Sequence, residues 1–173
     1  MDKQPHQLAE EAKSAYAAGK FAQAAQAFRL ASQGYTHGRD GLHAAEMNNN
    51  LSVALLKNKQ PKEALEAALG TEKTFAMQGD KARAGMALGN QAAALEALKR
   101  YDEAVTRYQE SADLFGESGE RDLQSLSIKA IANIRLKRGQ LNQAGIDMIG
   151  SLGAAEHPTM AQRILKFLLR FLR

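Results

Sequence analysis

The four histidines, His6, His37, His43 and His157, are the residues of this chain with the widest chemical range. Imidazole exchanges protons near neutral pH and ligates metals. Only His37 and His43 are close enough in sequence to share an ion. Two imidazoles without a carboxylate or thiolate at fixed spacing make an incomplete ligand set, so no metal site is expected. The chain has no cysteine, which removes disulfides, thiolate ligands and thiol nucleophiles. The glycine-bearing stretch "GRDGLH" (38–43) lacks the lysine and the preceding strand that make a phosphate loop. The three glycines of "GIDMIGSLG" (145–153) fall in a helical register, where they weaken the helix or admit a close neighbour. No catalytic constellation emerges, and neither enzyme activity nor a cofactor is expected. The polar chemistry that remains belongs to amides and amines. Asn50 and Asn90 stand out because they are the same residue forty positions apart, and a carboxamide offers a donor and an acceptor together.

That spacing belongs to the whole chain. Steps of forty connect Ala24, Ala64, Ala104 and Ala144, and likewise the small residues Ala12, Ser52, Ala92 and Ala132. Larger residues recur in the same way: Phe21, Pro61, Tyr101 and Leu141; Phe28, Ala68, Tyr108 and Met148; Tyr35, Phe75, Phe115 and Ala155. A self-similarity at this period marks a repeat architecture. Within a unit, Leu88, Ala92 and Leu95, then Ala104, Tyr108 and Leu114, follow helical spacing. A short break such as "LKRYDEA" divides the two helices, and Pro61 suits a first helical turn, where its missing N–H costs nothing. Between units, "HGRDG", "MQGDK" and "ESGER" combine a glycine for a left-handed helix end with an acid that favours the next helix start. No strand alternation occurs, so the chain is expected to be all-α.

Paired helices with a small residue in the first and an alanine in the second resemble the tetratricopeptide repeat family. The resemblance spans about residues 5 to 155 and is clearest from Leu88 to Leu114, which holds "GN", Ala92, "YDEA" and Tyr108. The period of forty, with no tryptophan and no closing proline, is similar to the long-repeat branch seen in kinesin light chains and in peptide-binding adaptors of G-protein and polarity machinery. The resemblance implies a right-handed solenoid of four helical hairpins over 1–158 (5–38, 40–78, 80–118 and 120–156), followed by an amphipathic helix at 159–173. It further implies that the first helices line a concave groove for a peptide or partner protein. Carried over by position, that groove holds Lys13, Asn49, Asn50, Lys57, Asn90, Lys129 and Asn133, with Asn50 and Asn90 gripping peptide main chain. The stretch "EMNNNLS" (46–52) also reads simply as a polar helix start. Of the positions matching the carboxylate-clamp co-chaperones (Ala9, Lys13, Asn50, Met86 and Asn90), only Asn50 has the residue type required, and a chaperone ligand is not implied.

The end of the chain follows a different rule. Arg163, Lys166, Arg170 and Arg173 fall within roughly 80° on a helix, while Ile164, Leu165, Phe167, Leu168, Phe171, Leu172 and their apolar neighbours span about 200°. Three roles stay open for this segment: a cap on the fourth unit, a contact with a second copy or a partner, and an anchor on an anionic membrane surface. Those four basic residues, with no acid among them, account for the net charge of +4; the rest of the chain balances its 19 Asp+Glu. A neutral body argues against nucleic acid as partner. The N-terminus lacks the apolar core of a secretory signal and no run reaches the ~20 residues of a membrane span, so a cytoplasmic location, if need be membrane-peripheral, is expected. The leading reading is a non-enzymatic adaptor that also self-associates; the other is a peripheral membrane adaptor.

Overall fold

A computed structural model describes residues 3–155. Among them are nine α-helices and no strand: α1 (Pro5–Ala17), α2 (Phe21–His37), α3 (Gly41–Lys57), α4 (Pro61–Ala68), α5 (Thr71–Met77), α6 (Lys81–Ala97), α7 (Tyr101–Ser118), α8 (Arg121–Lys137) and α9 (Leu141–Ala154). They stack as successive hairpins, α1–α2, α3–α4/α5, α6–α7 and α8–α9, and each second helix packs on the first helix of the hairpin that follows. This is an all-α solenoid. The segment 159–173, with its apolar and basic residues, lies outside the described residues.

The small residues of the forty-step series let these helices approach closely. Ala24, Ala64 and Ala104 are fully buried and Ala144 is 1% exposed; Ala12, Ser52, Ala92 and Ala132 are at 0%. A methyl or hydroxymethyl group at a helix crossing brings two backbones together without a cavity. Serines seal some crossings: Ser111 Oγ donates to the Gly85 carbonyl at 2.8 Å, and Ser125 Oγ to the Ser151 carbonyl at 2.8 Å. Between hairpins the volume is filled by Phe28, Phe75 and Phe115, all buried.

The turns repeat as faithfully as the core. Inside the hairpins Gly19, Lys59, Lys99 and Gly139 take φ of 73°, 61°, 61° and 74°; between hairpins Arg39, Gly79 and Gly119 take 59°, 73° and 80°. At the first junction the left-handed residue is therefore Arg39. The glycine expected to serve there, Gly38, has φ −73° and continues the helical turn. Each intra-hairpin turn closes with the same backbone bond, from Lys20, Gln60, Arg100 and Gln140 to the carbonyl five residues back, at 2.9 Å. That bond uses one of the carbonyls a helix end leaves over.

Asp40 and Asp80 act as N-caps, accepting from the His43 and Arg83 amides, while Glu120 makes no side-chain cap. The Arg83 amide and guanidinium hold the Asp80 carboxyl below its ordinary range. A carboxyl whose folded pKa is depressed adds stability above its unfolded pKa and loses it as pH falls through the folded one. Asp80→Ala should therefore cost about 1 kcal/mol at pH 7, and the gap from wild type should close as pH drops below about 4. Urea titrations of both proteins at several pH values check this; a gap that stays constant with pH would remove the charge from the explanation.

One second helix departs from the pattern. The helix of the second hairpin stops at Ala68, passes through Leu69 and through Gly70 at φ 84°, and restarts at Thr71. Thr71 Oγ1 donates to the freed Ala68 carbonyl at 2.8 Å, and Gln91 Nε2 of α6 donates to it at 3.0 Å. Gln91 is 1% exposed and replaces the Leu51 and Ile131 of its neighbours in the repeat, so an amide stands here for the sake of the break. α9, by contrast, runs unbroken through Gly145, Gly150 and Gly153.

Candidate functional site

Between the first helices of neighbouring hairpins lies a row of two polar pairs. Asn90 Nδ2 of α6 donates to Asn49 Oδ1 of α3 at 2.8 Å, and Lys137 Nζ of α8 donates to Glu96 Oε1 of α6 at 2.7 Å. Both pairs are 41 residues apart. Adjacent hairpins are thus offset along the row by one residue more than the repeat length. The asparagine that meets Asn90 is therefore Asn49, not Asn50, which stands one full period from it.

Asn50 belongs to a different feature. With Lys13, Tyr16, Phe28 and Val53 it lines an open cavity of about 330 Å³ between the first and second hairpins. Its floor is apolar, made by Phe28, which is 3% exposed, with the half-buried Tyr16 and Val53. Tyr16 is fixed from the side by an edge-on contact with Phe21, ring centroids 5.4 Å apart. Lys13 stands on the rim. The Glu10 carboxylate, 2.9 Å from its Nζ, raises the Lys13 pKa, with a smaller contribution from Glu46 on α3. An apolar hollow with an amide and an ammonium on its edge can take an aliphatic or aromatic side chain and hold the main-chain carbonyl or carboxylate beside it.

The other residues singled out by position are dispersed. Lys57, Lys129 and Asn133 are exposed on α3 and α8 and do not line this cavity. Glu96 collects both Lys137 and the Tyr108 hydroxyl, the latter at 3.4 Å. Burial, with help from Glu96, raises the Tyr108 pKa, and the hydrogen bond to Glu96 raises that of Lys137. His37 Nδ1 lies 2.7 Å from the Gln33 carbonyl and His43 Nδ1 lies 2.7 Å from Asp40 Oδ2, so each imidazole is committed to its own helix end. Phe28 is the cavity residue that sequence reasoning missed as part of a site. It sits on a second helix, and its membership of the recurring aromatic series marked it as filler between hairpins.

Comparison with known proteins rests on shape. No family model matches the chain, and no curated protein matches it. Among solved structures, aspartyl phosphate phosphatase F from Bacillus subtilis superposes with a TM-score of 0.77 at 14% identity, over 89% of this chain and 41% of that one. The fold is a tetratricopeptide-like helical repeat. At this identity the likeness speaks for the fold, and the chain spans well under half the length of that phosphatase. Among the described residues no helix is long and apolar enough to cross a membrane, and no group of three or more His, Asp or Glu could hold a metal ion.

Proposed function

We propose that the protein is a non-enzymatic adaptor of tetratricopeptide type that holds a peptide or a segment of a partner protein along its first helices. The observation that carries this reading is the cavity between the first two hairpins, an apolar hollow with Lys13 and Asn50 at its edge. A ligand residue with a large apolar side chain fills the hollow, while the Asn50 carboxamide pairs with main chain and Lys13 favours an acidic neighbour. The Asn49–Asn90 bond holds the adjoining row in place. The reading assigns no reaction because the polar groups at the edge of the cavity are an amide and an ammonium, Asn50 and Lys13. The phosphatase name belongs to the neighbour. Residues 159–173 close the array, and self-association or contact with an anionic membrane falls to the apolar surface that closure leaves open. A cytoplasmic setting fits this role.

A peptide library displayed on phage and selected on the wild-type protein tests the reading. Peptides enriched in this way should lose about tenfold or more in affinity for Val53→Trp, which fills the hollow, and several-fold for Asn50→Ala. Selected peptides that bind both variants as well as wild type would place recognition elsewhere. Light scattering on 1–173 and 1–158 reads self-association, and flotation of the same pair with anionic vesicles reads the membrane alternative.

A further inference from the structure

The break between α4 and α5 leaves an oxygen without a donor. The Gln91 carboxamide directs Nε2 at two acceptors, the Ala68 carbonyl at 3.0 Å and Glu72 Oε2 at 2.7 Å. Its Oε1 is buried and has no hydrogen-bond partner among the described residues. Turning the amide over would set Oε1 against those same two acceptors, so its orientation is fixed. A buried acceptor left unpaired costs free energy, which a donor brought in by a ligand recovers.

Gln91 also lines an open cavity of about 310 Å³. α6 packs against both α4 and α7 and forms the cavity floor with Gln91 and Leu95, which are 1% and 4% exposed. One wall is apolar, made by Leu65 and Leu69 at the end of α4. Leu69 is 55% exposed and belongs to neither α4 nor α5, so its side chain can turn outward to admit a ring without moving the backbone. The other wall begins at Arg100 and runs along α7 through Glu103, Thr106, Arg107 and Glu110. Arg100 pairs with Glu103 at 2.6 Å and Arg107 with Glu110 at 2.8 Å, so this wall carries no net charge. None of these residues lines the cavity of Lys13 and Asn50.

We propose that this hollow binds a tyrosine side chain of a partner protein, with Gln91 Oε1 accepting the phenolic hydrogen. The acceptor lies at the floor and the leucines stand beside it, so the ligand must be apolar along its length and carry its donor at the tip. A phenol has that form. Serine and threonine are too short to reach past Leu65 and Leu69. A lysine ammonium gains nothing from a wall whose charges are already paired, and one amide oxygen cannot replace its water. The guanidinium groups of Arg100 and Arg107, held in place by their acids, offer flat faces to an aromatic ring. The occupant comes from another protein because the four tyrosines of this chain are engaged. Tyr16 packs on Phe21, Tyr35 stacks on His43, and Tyr101 and Tyr108 pack around the cluster of Ala104. The hollow is a groove between helices, and it takes the end of a side chain instead of enclosing a whole small molecule. The site stands independently of the reading proposed for the first helices.

Titrations of protein carrying labelled leucine methyl groups, followed by nuclear magnetic resonance, test the site. N-acetyltyrosinamide should shift the methyls of Leu65, Leu69 and Leu95 saturably. N-acetylphenylalaninamide, which lacks only the hydroxyl, should bind about tenfold more weakly, since it leaves Oε1 unpaired. Thr106→Phe, at an exposed position of α7, fills the hollow and should abolish the shifts, whereas Val53→Trp should leave them unchanged. Gln91→Leu, which restores the residue type of Leu51 one period earlier, should bind the two amides alike. If that variant does not fold, the comparison of the two amides on wild type and the Thr106→Phe result decide. No shift at the three leucines, equal binding of both amides by wild type, or binding that survives Thr106→Phe would overturn the site. Shifts with p-cresol but none with N-acetyltyrosinamide would overturn a protein partner in favour of a small phenol.

Discussion

Phe75→Ala should lower the free energy of unfolding by about 3–5 kcal/mol. The ring is 1% exposed and packs against Ala45, Ala84 and Ala87, with Leu42 and Leu114 closing around it. The fully buried neighbours are alanines, which cannot extend into the space left behind, so only Leu42 and Leu114 at its edge can move toward it. The Arg83 guanidinium lies 5.1 Å from the ring centroid and loses its aromatic partner as well. α5 has only seven residues, too few to persist without packing. Urea unfolding followed by far-ultraviolet circular dichroism measures the loss. Phe75→Leu, which retains most of the volume, should recover the greater part of it. A loss under about 1 kcal/mol in the alanine variant would show that α5 is held by other means.

Ala104→Leu should cost about 3 kcal/mol, at the upper end for an overpacked site. Ala104 is fully buried among Leu95 and Ile134, with Tyr101, Val105 and Tyr108 around them. It lies where α6, α7 and α8 converge, so three added carbons must separate two helix crossings at once. The same change at Ala97, exposed at the end of α6, should alter stability by less than about 0.5 kcal/mol. Thermal melts of the two variants make the comparison. Equal effects at the two sites would mean that the forty-residue alanine series does not set the spacing of the hairpins.

Much of the architecture was legible because one physical demand, close approach of helices, recurs without insertion. Ala24, Ala64, Ala104 and Ala144 declare it directly. The turns were legible in position but not in residue type: Lys59, Lys99 and Arg39 occupy left-handed conformations that glycine fills elsewhere, so reading glycine as the marker misplaced the first junction onto Gly38. The break at Gly70 could not be seen because the repeat runs through it without changing length. Its signal was Gln91, a polar residue at a position that is Leu51 and Ile131 in other units. The partnering of Asn90 with Asn49 was hidden for another reason. Comparing the sequence with itself at forty finds equivalent residues, whereas contact depends on how one hairpin is offset against the next. The cavity needed a side chain from α2, and a search confined to first helices had no route to Phe28.

The interruption between α4 and α5 gives the array a mechanical character that its uniform repeat conceals. Stacked hairpins of continuous 17- and 18-residue helices resist bending, since any flexion must strain a hydrogen-bonded rod. In the second hairpin the rod is already divided, and its free carbonyl is held by Thr71 and by Gln91 of the next hairpin. Rotation about Leu69 and Gly70 would break these bonds and leave buried polar groups unpaired, so the division is locked. The second and third hairpins are therefore tied together through a backbone group as well as through packed side chains.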